Sequence, residues 1–72
     1  MDLIDVSDEQ QMSREDAAAR LRALADELAR HNEVPFTREG VRYSVRVPDQ
    51  VTFKLEIELG DDGSEIEVEL TW

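Results

Sequence analysis

The sequence has no cysteine, one histidine and one lysine. Without thiols the chain forms no disulfide, no thiolate zinc site and no cysteine nucleophile. One histidine, His31, is too few for a metal site built from histidine ligands. No apolar run approaches the roughly 20 residues that a transmembrane helix requires, and no signal-peptide pattern opens the chain. These absences predict a small cytoplasmic domain with no membrane partner.

Length and glycine content are also low. A typical domain has roughly 100–150 residues, so a chain of 72 residues predicts a single domain over 1–72. No glycine-serine linker or internal repeat divides it. The three glycines, Gly40, Gly60 and Gly63, form no phosphate-binding loop.

Acidic residues are abundant. The chain has 18 acidic and 8 basic residues, a formal net charge of -10, and all its basic residues but Lys54 are arginines. At about 1 M salt the screening length is only roughly 3 Å, so concentrated salt would suppress the self-repulsion. The composition predicts a halophilic protein; the alternative is an acidic protein from an arginine-rich proteome.

The segment from Arg14 to His31 has the pattern of an amphipathic helix. It lacks glycine, proline and β-branched residues, and Ser13 with Asp16 resembles a capping box. Arg30 and His31 fall at the carboxyl end, where the helix dipole favours cations. One apolar face is predicted, formed by Leu21, Leu24, Ala25 and Leu28.

Three later segments alternate between apolar and polar residues, as half-buried strands do. They run from residue 41 to 47, from 51 to 59 and from 66 to 72. Residues 1–12 predict a weaker first strand, and residues 34–37 a short extended piece. The fold class predicted is α+β, with a single helix packed on an antiparallel meander sheet in the order β-α-β-β-β.

Strand registers follow from keeping apolar residues face to face. A two-residue turn at Asp62-Gly63 sets Leu59 opposite Ile66 and Phe53 opposite Trp72. A loop over Pro48-Asp49-Gln50 sets Val45 opposite Phe53. The resulting apolar face is wide for one helix, so part of it is predicted to stay uncovered. The candidate interaction surface consists of Trp72, Phe53, Val45 and Leu70.

Two arrangements complete so small a core. In one, the protein associates with itself through leftover sheet face or an open strand edge, which makes a homodimer. In the other, the helix and the N-terminal segment complete the core of a monomer.

The opposite sheet face carries a ladder of glutamates. The predicted registers oppose Glu58 to Glu67 and Glu56 to Glu69, with Arg42 also opposite Glu56. A divalent cation site is the alternative to a solvated face, but calcium ligands converge from bent loops, whereas strand glutamates diverge. We therefore predict no metal and no cofactor.

The sequence contains no group of residues that indicates a catalytic site. Ser13 is explained as the helix cap and His31 as the helix end, and the carboxylates occupy no predicted cleft. A nucleic-acid surface is the rival hypothesis. It would use Arg38, Arg42, Arg46 and Lys54 on the polar sheet face, with Arg20 and Arg22 on the helix. The neighbouring glutamates and the inward parity of the aromatic residues disfavour it.

Four stretches together resemble the amphi-Trp domain family, which occurs in small prokaryotic proteins, including those of halophilic archaea. They are the helix opening SREDAA from Ser13, YSVRVPD from Tyr43, FKLEIEL from Phe53 and IEVELTW ending at Trp72. The resemblance spans residues 3–72 and implies no activity and no catalytic residue. The sequence thus predicts a non-catalytic module for protein interaction or self-association, with a nucleic-acid-associated protein as the alternative.

Overall fold

The computed structural model describes residues 7–72, in which one helix is followed by two β-hairpins. The elements are α1 (Arg14–Arg30), β1 (Glu33–Arg38), β2 (Val41–Arg46), β3 (Thr52–Leu59) and β4 (Ser64–Thr71). The predicted α+β class with antiparallel strands is confirmed. The predicted order differs at its start, because residues 7–13 form no strand. The rest of the predicted first strand, residues 1–6, lies outside the described residues.

Both ends of α1 are capped by hydrogen bonds, with a side chain at the first end and a backbone group at the second. Ser13 accepts a hydrogen bond from the Asp16 N–H through Oγ, at 2.9 Å, and its carbonyl accepts one from the Ala17 N–H at 3.0 Å. At the other end the His31 N–H donates to the Glu27 carbonyl at 2.9 Å. The predicted cap at Ser13 is confirmed, and α1 ends at Arg30, close to the end near Asn32 that the sequence predicts.

Replacing Ser13 with alanine is expected to destabilise the fold by about 1 kcal/mol, because the Asp16 N–H loses its acceptor. Urea denaturation followed by circular dichroism measures the loss. Ser7→Ala is the matched control, since Ser7 is exposed and precedes the helix. Its effect should stay within about 0.5 kcal/mol. Equal stabilities for the two variants would contradict the capping role.

The first hairpin pairs β1 with β2 and carries α1. The extended piece predicted over residues 34–37 is part of a full strand, and Val34 lies opposite Val45. Glu39 and Gly40 turn the chain with φ of 52° and 78°, the two positive values of a type I′ turn. Helix α1 contacts β1. Val47, whose N–H donates to the Asn32 carbonyl at 2.7 Å, is buried at 9% exposure.

The second hairpin pairs β3 with β4 in a register two residues away from the predicted one. Leu59 lies opposite Ser64, not Ile66, and Phe53 lies opposite Leu70, not Trp72. The connection is therefore the four residues 60–63 instead of a two-residue turn. A slip of two residues keeps every side chain on its face, so the predicted apolar and polar faces survive.

The two hairpins form separate two-stranded sheets, which corrects the predicted meander. Within residues 7–72, strand β2 pairs with β1 alone and β3 with β4 alone. The predicted pairing of Val45 with Phe53 across the 48–50 loop is therefore wrong. No Cα of β3 or β4 comes within 8 Å of α1, β1 or β2. The helix thus covers part of the first hairpin and leaves the second uncovered.

Candidate interaction surface

One face of the second hairpin is apolar except for Ser64, which lies opposite Leu59 at the hairpin end. We call it the apolar hairpin face; it consists of Phe53, Leu55, Ile57, Leu59, Ile66, Val68 and Leu70. Alternation along each strand places these side chains on the same side of the sheet. Across the strands they form three directly opposed pairs: Phe53 with Leu70, Leu55 with Val68, and Ile57 with Ile66.

The apolar hairpin face is open to solvent. Ile57 is 60% exposed, Ile66 72% and Phe53 63%. Leu70 alone of the seven is half-buried. Among residues 7–72, the backbones of the other helix and strands do not approach this hairpin closely. A continuous exposed apolar patch of this kind is a candidate interaction surface.

The structure brings together only part of the predicted surface. Phe53 and Leu70 lie directly opposite each other on the apolar hairpin face. Trp72 follows β4 and is 62% exposed, at the rim of a shallow depression shared with Val47 and Pro48. Val45 belongs to the other hairpin, opposite Val34. The predicted four-residue surface is therefore divided between two sheets.

Ile57 and Ile66 extend the apolar hairpin face beyond the residues predicted for interaction. Their alternation with glutamates correctly predicted strands and an apolar face wide for one helix, but it did not single out these two residues as part of an interaction surface. Their position in the sequence could have indicated this, because both lie near the hairpin end at residues 60–63, far along the strands from Trp72. A single helix of 17 residues does not cover both hairpins.

A second apolar surface lies on the helical side of the molecule. Leu21 and Leu24, predicted to face the core, are 57% and 41% exposed. They border an open groove of about 490 Å³ between α1 and β1, where Val34 and Pro35 form the opposite wall. The predicted helix face is thus only partly covered by the first hairpin.

The opposite face of the second hairpin carries the predicted glutamate ladder, with its pairs shifted by two residues. Glu56 lies opposite Glu67 and Glu58 opposite Glu65, whereas Lys54 lies opposite Glu69. Lys54 Nζ also lies 3.9 Å from Glu56 Oε2. Among residues 7–72 no group of three acidic or histidine side chains converges as metal ligands would.

The basic side chains do not form the shared surface that a nucleic-acid site was predicted to use. Arg42 lies opposite Thr37, not Glu56, on the polar face of the first hairpin. Arg38 lies opposite Val41 and so takes the other face, while Lys54 belongs to the second sheet.

Two of the remaining arginines have acidic partners. Arg46 lies 3.8 Å from the Glu33 carboxylate, which also accepts a hydrogen bond from the Ser44 hydroxyl. On the helix, Arg20 lies 3.2 Å from Asp8 and 3.5 Å from Gln10. Arg20 therefore connects the segment before the helix to α1, and its charge is already partly balanced.

The one helix found in the described part of the chain is not long and apolar enough to cross a membrane.

Comparison with known proteins identifies the family. The model of the Amphi-Trp domain matches residues 2–72. No curated protein and no solved structure matches the chain. The match covers the helix, both hairpins and the closing tryptophan, in agreement with the resemblance seen in the sequence. The chain therefore belongs to the Amphi-Trp domain family.

Proposed function

We propose that this protein is a non-catalytic interaction module that binds another protein chain through the apolar hairpin face. The observation that carries the proposal is the exposure of this face, whose central residues Ile57 and Ile66 are 60% and 72% exposed. A two-stranded hairpin is at best marginally stable alone in water. Covering its apolar face with another chain stabilises both the hairpin and the complex.

The composition of the face suits a protein partner. Its residues are aliphatic apart from Phe53, and extended strands present them as a flat, continuous surface. Nucleic acid would require clustered cations with exposed aromatic rings for stacking. The only basic residue of the hairpin, Lys54, lies on the opposite face among glutamates.

The module is further proposed to work in a salt-rich cytoplasm. The support is the placement of the acidic residues: Glu56, Glu58, Glu65 and Glu67 form opposed pairs of like charge on the outer face of one hairpin. Such pairs repel in dilute buffer and are screened at molar salt. The net charge of -10 keeps this outer face hydrated while the apolar hairpin face binds.

The proposal predicts which variants lose binding when the tagged protein is used to capture partners from a native lysate at molar potassium chloride. Ile57→Lys places a charge on the apolar hairpin face and should abolish capture, of a second copy of the chain or of any other protein. Glu58→Lys is the matched control, because it introduces the same residue one position away on the opposite face. It should capture the same proteins as the unmodified chain.

Quantitative mass spectrometry of the three captures decides between the outcomes. Loss of specific proteins with Ile57→Lys alone supports the apolar hairpin face as the docking surface. Identical captures by all three chains contradict it. Retention of nucleic acid by the unmodified chain, lost in an Arg42→Glu variant, would favour the nucleic-acid alternative.

A further inference from the structure

The single chain exposes far more surface than a compact protein of its mass. Its accessible surface is 6897 Å², whereas a compact monomer of 8.3 kDa exposes about 4,600 Å². Its radius of gyration is 14.1 Å, against about 11 Å for a compact domain of this length. The second hairpin contributes to this open shape, because the backbones of β3 and β4 do not approach α1, β1 or β2 closely.

The excess surface, roughly 2,300 Å² per chain, is what an obligate dimer covers. A standard interface buries about 800 Å² on each partner, and obligate homodimers bury about 1,000–2,500 Å² on each. Covering the excess on both chains of a pair therefore gives an interface in the obligate range. A second copy of the chain therefore has enough surface to cover the excess exposed area.

Each chain offers two apolar surfaces that could complement one another. The first is the apolar hairpin face. The second is the groove between α1 and β1, with Leu21, Leu24 and Val34 on its walls. Val41, on the β2 side of the same unit, is also 51% exposed. A contact between the hairpin of one copy and the helical unit of the other covers both surfaces at once.

Charge favours this contact over a contact between two hairpins. Residues 52–72 carry one lysine and seven acids, a net charge of -6, and residues 14–47 carry seven arginines and six acids, a net charge of +1. Two stacked hairpins would bring charges of like sign together. A hairpin against the helical unit joins charges of opposite sign, which steers association and disfavours the wrong pairing.

The connection between the units allows such an exchange. Residues 47–51 leave β2 without entering a hairpin with β3, and Pro48 within them restricts the backbone. A short hinge that opens one chain and lets its terminal element pack on a second copy is the geometry of domain swapping.

We infer that two copies of this chain form a dimer by exchanging their second hairpins, so that the apolar hairpin face of each copy packs on α1 and the first hairpin of the other. The inference rests on the proposed function and names its partner as a second copy. The glutamate ladders of both hairpins remain on the outside of the dimer.

Single-cysteine variants test the exchange, since the chain has no cysteine of its own. Leu24→Cys marks the groove of α1, and Val68→Cys marks the apolar hairpin face. The two variants are mixed, unfolded and refolded together at molar potassium chloride, then treated with a short bis-maleimide cross-linker. Glu67→Cys, one residue from Val68 but on the outer face, replaces Val68→Cys in the control.

The exchanged dimer predicts a cross-linked product that contains one Leu24→Cys chain and one Val68→Cys chain, identified by its mass. The control mixture should lose this product. A product of two Val68→Cys chains alone would show that the hairpins face each other and would overturn the exchange. A mass of 8.3 kDa for the unmodified protein at every concentration would overturn any dimer.

A double variant, Leu24→Cys with Val68→Cys, separates failure of this inference from failure of the proposed function. Cross-links confined within chains of 8.3 kDa would show that each hairpin covers its own helix, which overturns both. A monomer without internal cross-links that still captures another protein through the apolar hairpin face would overturn the dimer alone.

Discussion

Ile57→Lys is expected to raise the dissociation constant of the dimer at least about 100-fold. Burying an isoleucine side chain contributes about 1.5–3 kcal/mol, the dimer contains two copies of it, and each 1.4 kcal/mol is about a factor of ten in the dissociation constant. The lysine that replaces it would also bring a charge into a contact between apolar surfaces, which carries a desolvation cost.

Sedimentation velocity over a concentration series measures this effect directly. Glu58→Lys is the control, and its expected effect has the opposite sign, because the new lysine lies opposite Glu65 on the outer face. It should leave the dimer intact and stabilise the hairpin slightly. Equal dissociation constants for Ile57→Lys and the unmodified chain would place the interface elsewhere.

The second large effect expected is stabilisation by monovalent salt. The opposed pairs Glu56 with Glu67 and Glu58 with Glu65 each cost a few tenths to about 1 kcal/mol when unscreened. Screening both is therefore expected to contribute about 0.5–2 kcal/mol per chain. For a domain of this size that corresponds to a thermal midpoint higher by roughly 2–16 °C at 1 M than at 50 mM potassium chloride.

Thermal unfolding followed by circular dichroism tests the salt effect, at a protein concentration that keeps the association state constant. Glu67→Lys turns the like-charged pair with Glu56 into a pair of opposite charge. This variant should be more stable in dilute buffer and should gain less from salt. A midpoint that does not move between the two salt concentrations would contradict the account of the acidic face.

Local features of the fold were predictable because they depend on neighbouring residues. Ser13 caps the helix as its side chain and spacing indicate, and α1 ends at Arg30, just before His31. The alternation in β3 and β4 correctly divided apolar from acidic side chains. Helix caps and the alternation of side chains along a strand depend on residues a few positions apart, so the sequence alone predicts them.

The pairing of strands was less predictable, because alternation has a period of two. Registers that differ by two residues give the same faces, so the apolar pattern could not distinguish Leu59 opposite Ile66 from Leu59 opposite Ser64. The turn at Asp62-Gly63 was a local signal, but the observed four-residue connection also accommodates both residues. The register depends on contacts across the whole hairpin.

The alternation of apolar and polar residues also could not predict that the strands form two separate hairpins. The pattern makes β2 an equally good neighbour for β1 and β3, and only the turn at Glu39-Gly40 distinguishes them. The predicted interaction surface joined Val45 to Phe53 because it assumed a continuous sheet. Its residues Phe53 and Leu70 were correctly placed together, since they lie on strands that do pair.

The mass of the unmodified protein in solution shows whether a second copy covers the apolar hairpin face. Light scattering coupled to size exclusion, at molar potassium chloride and over a wide concentration range, is expected to give twice the 8.3 kDa of one chain. Dilution should shift the mass towards that of the single chain only at the lowest concentrations. A constant mass of 8.3 kDa would contradict the claim that a second copy covers the apolar hairpin face.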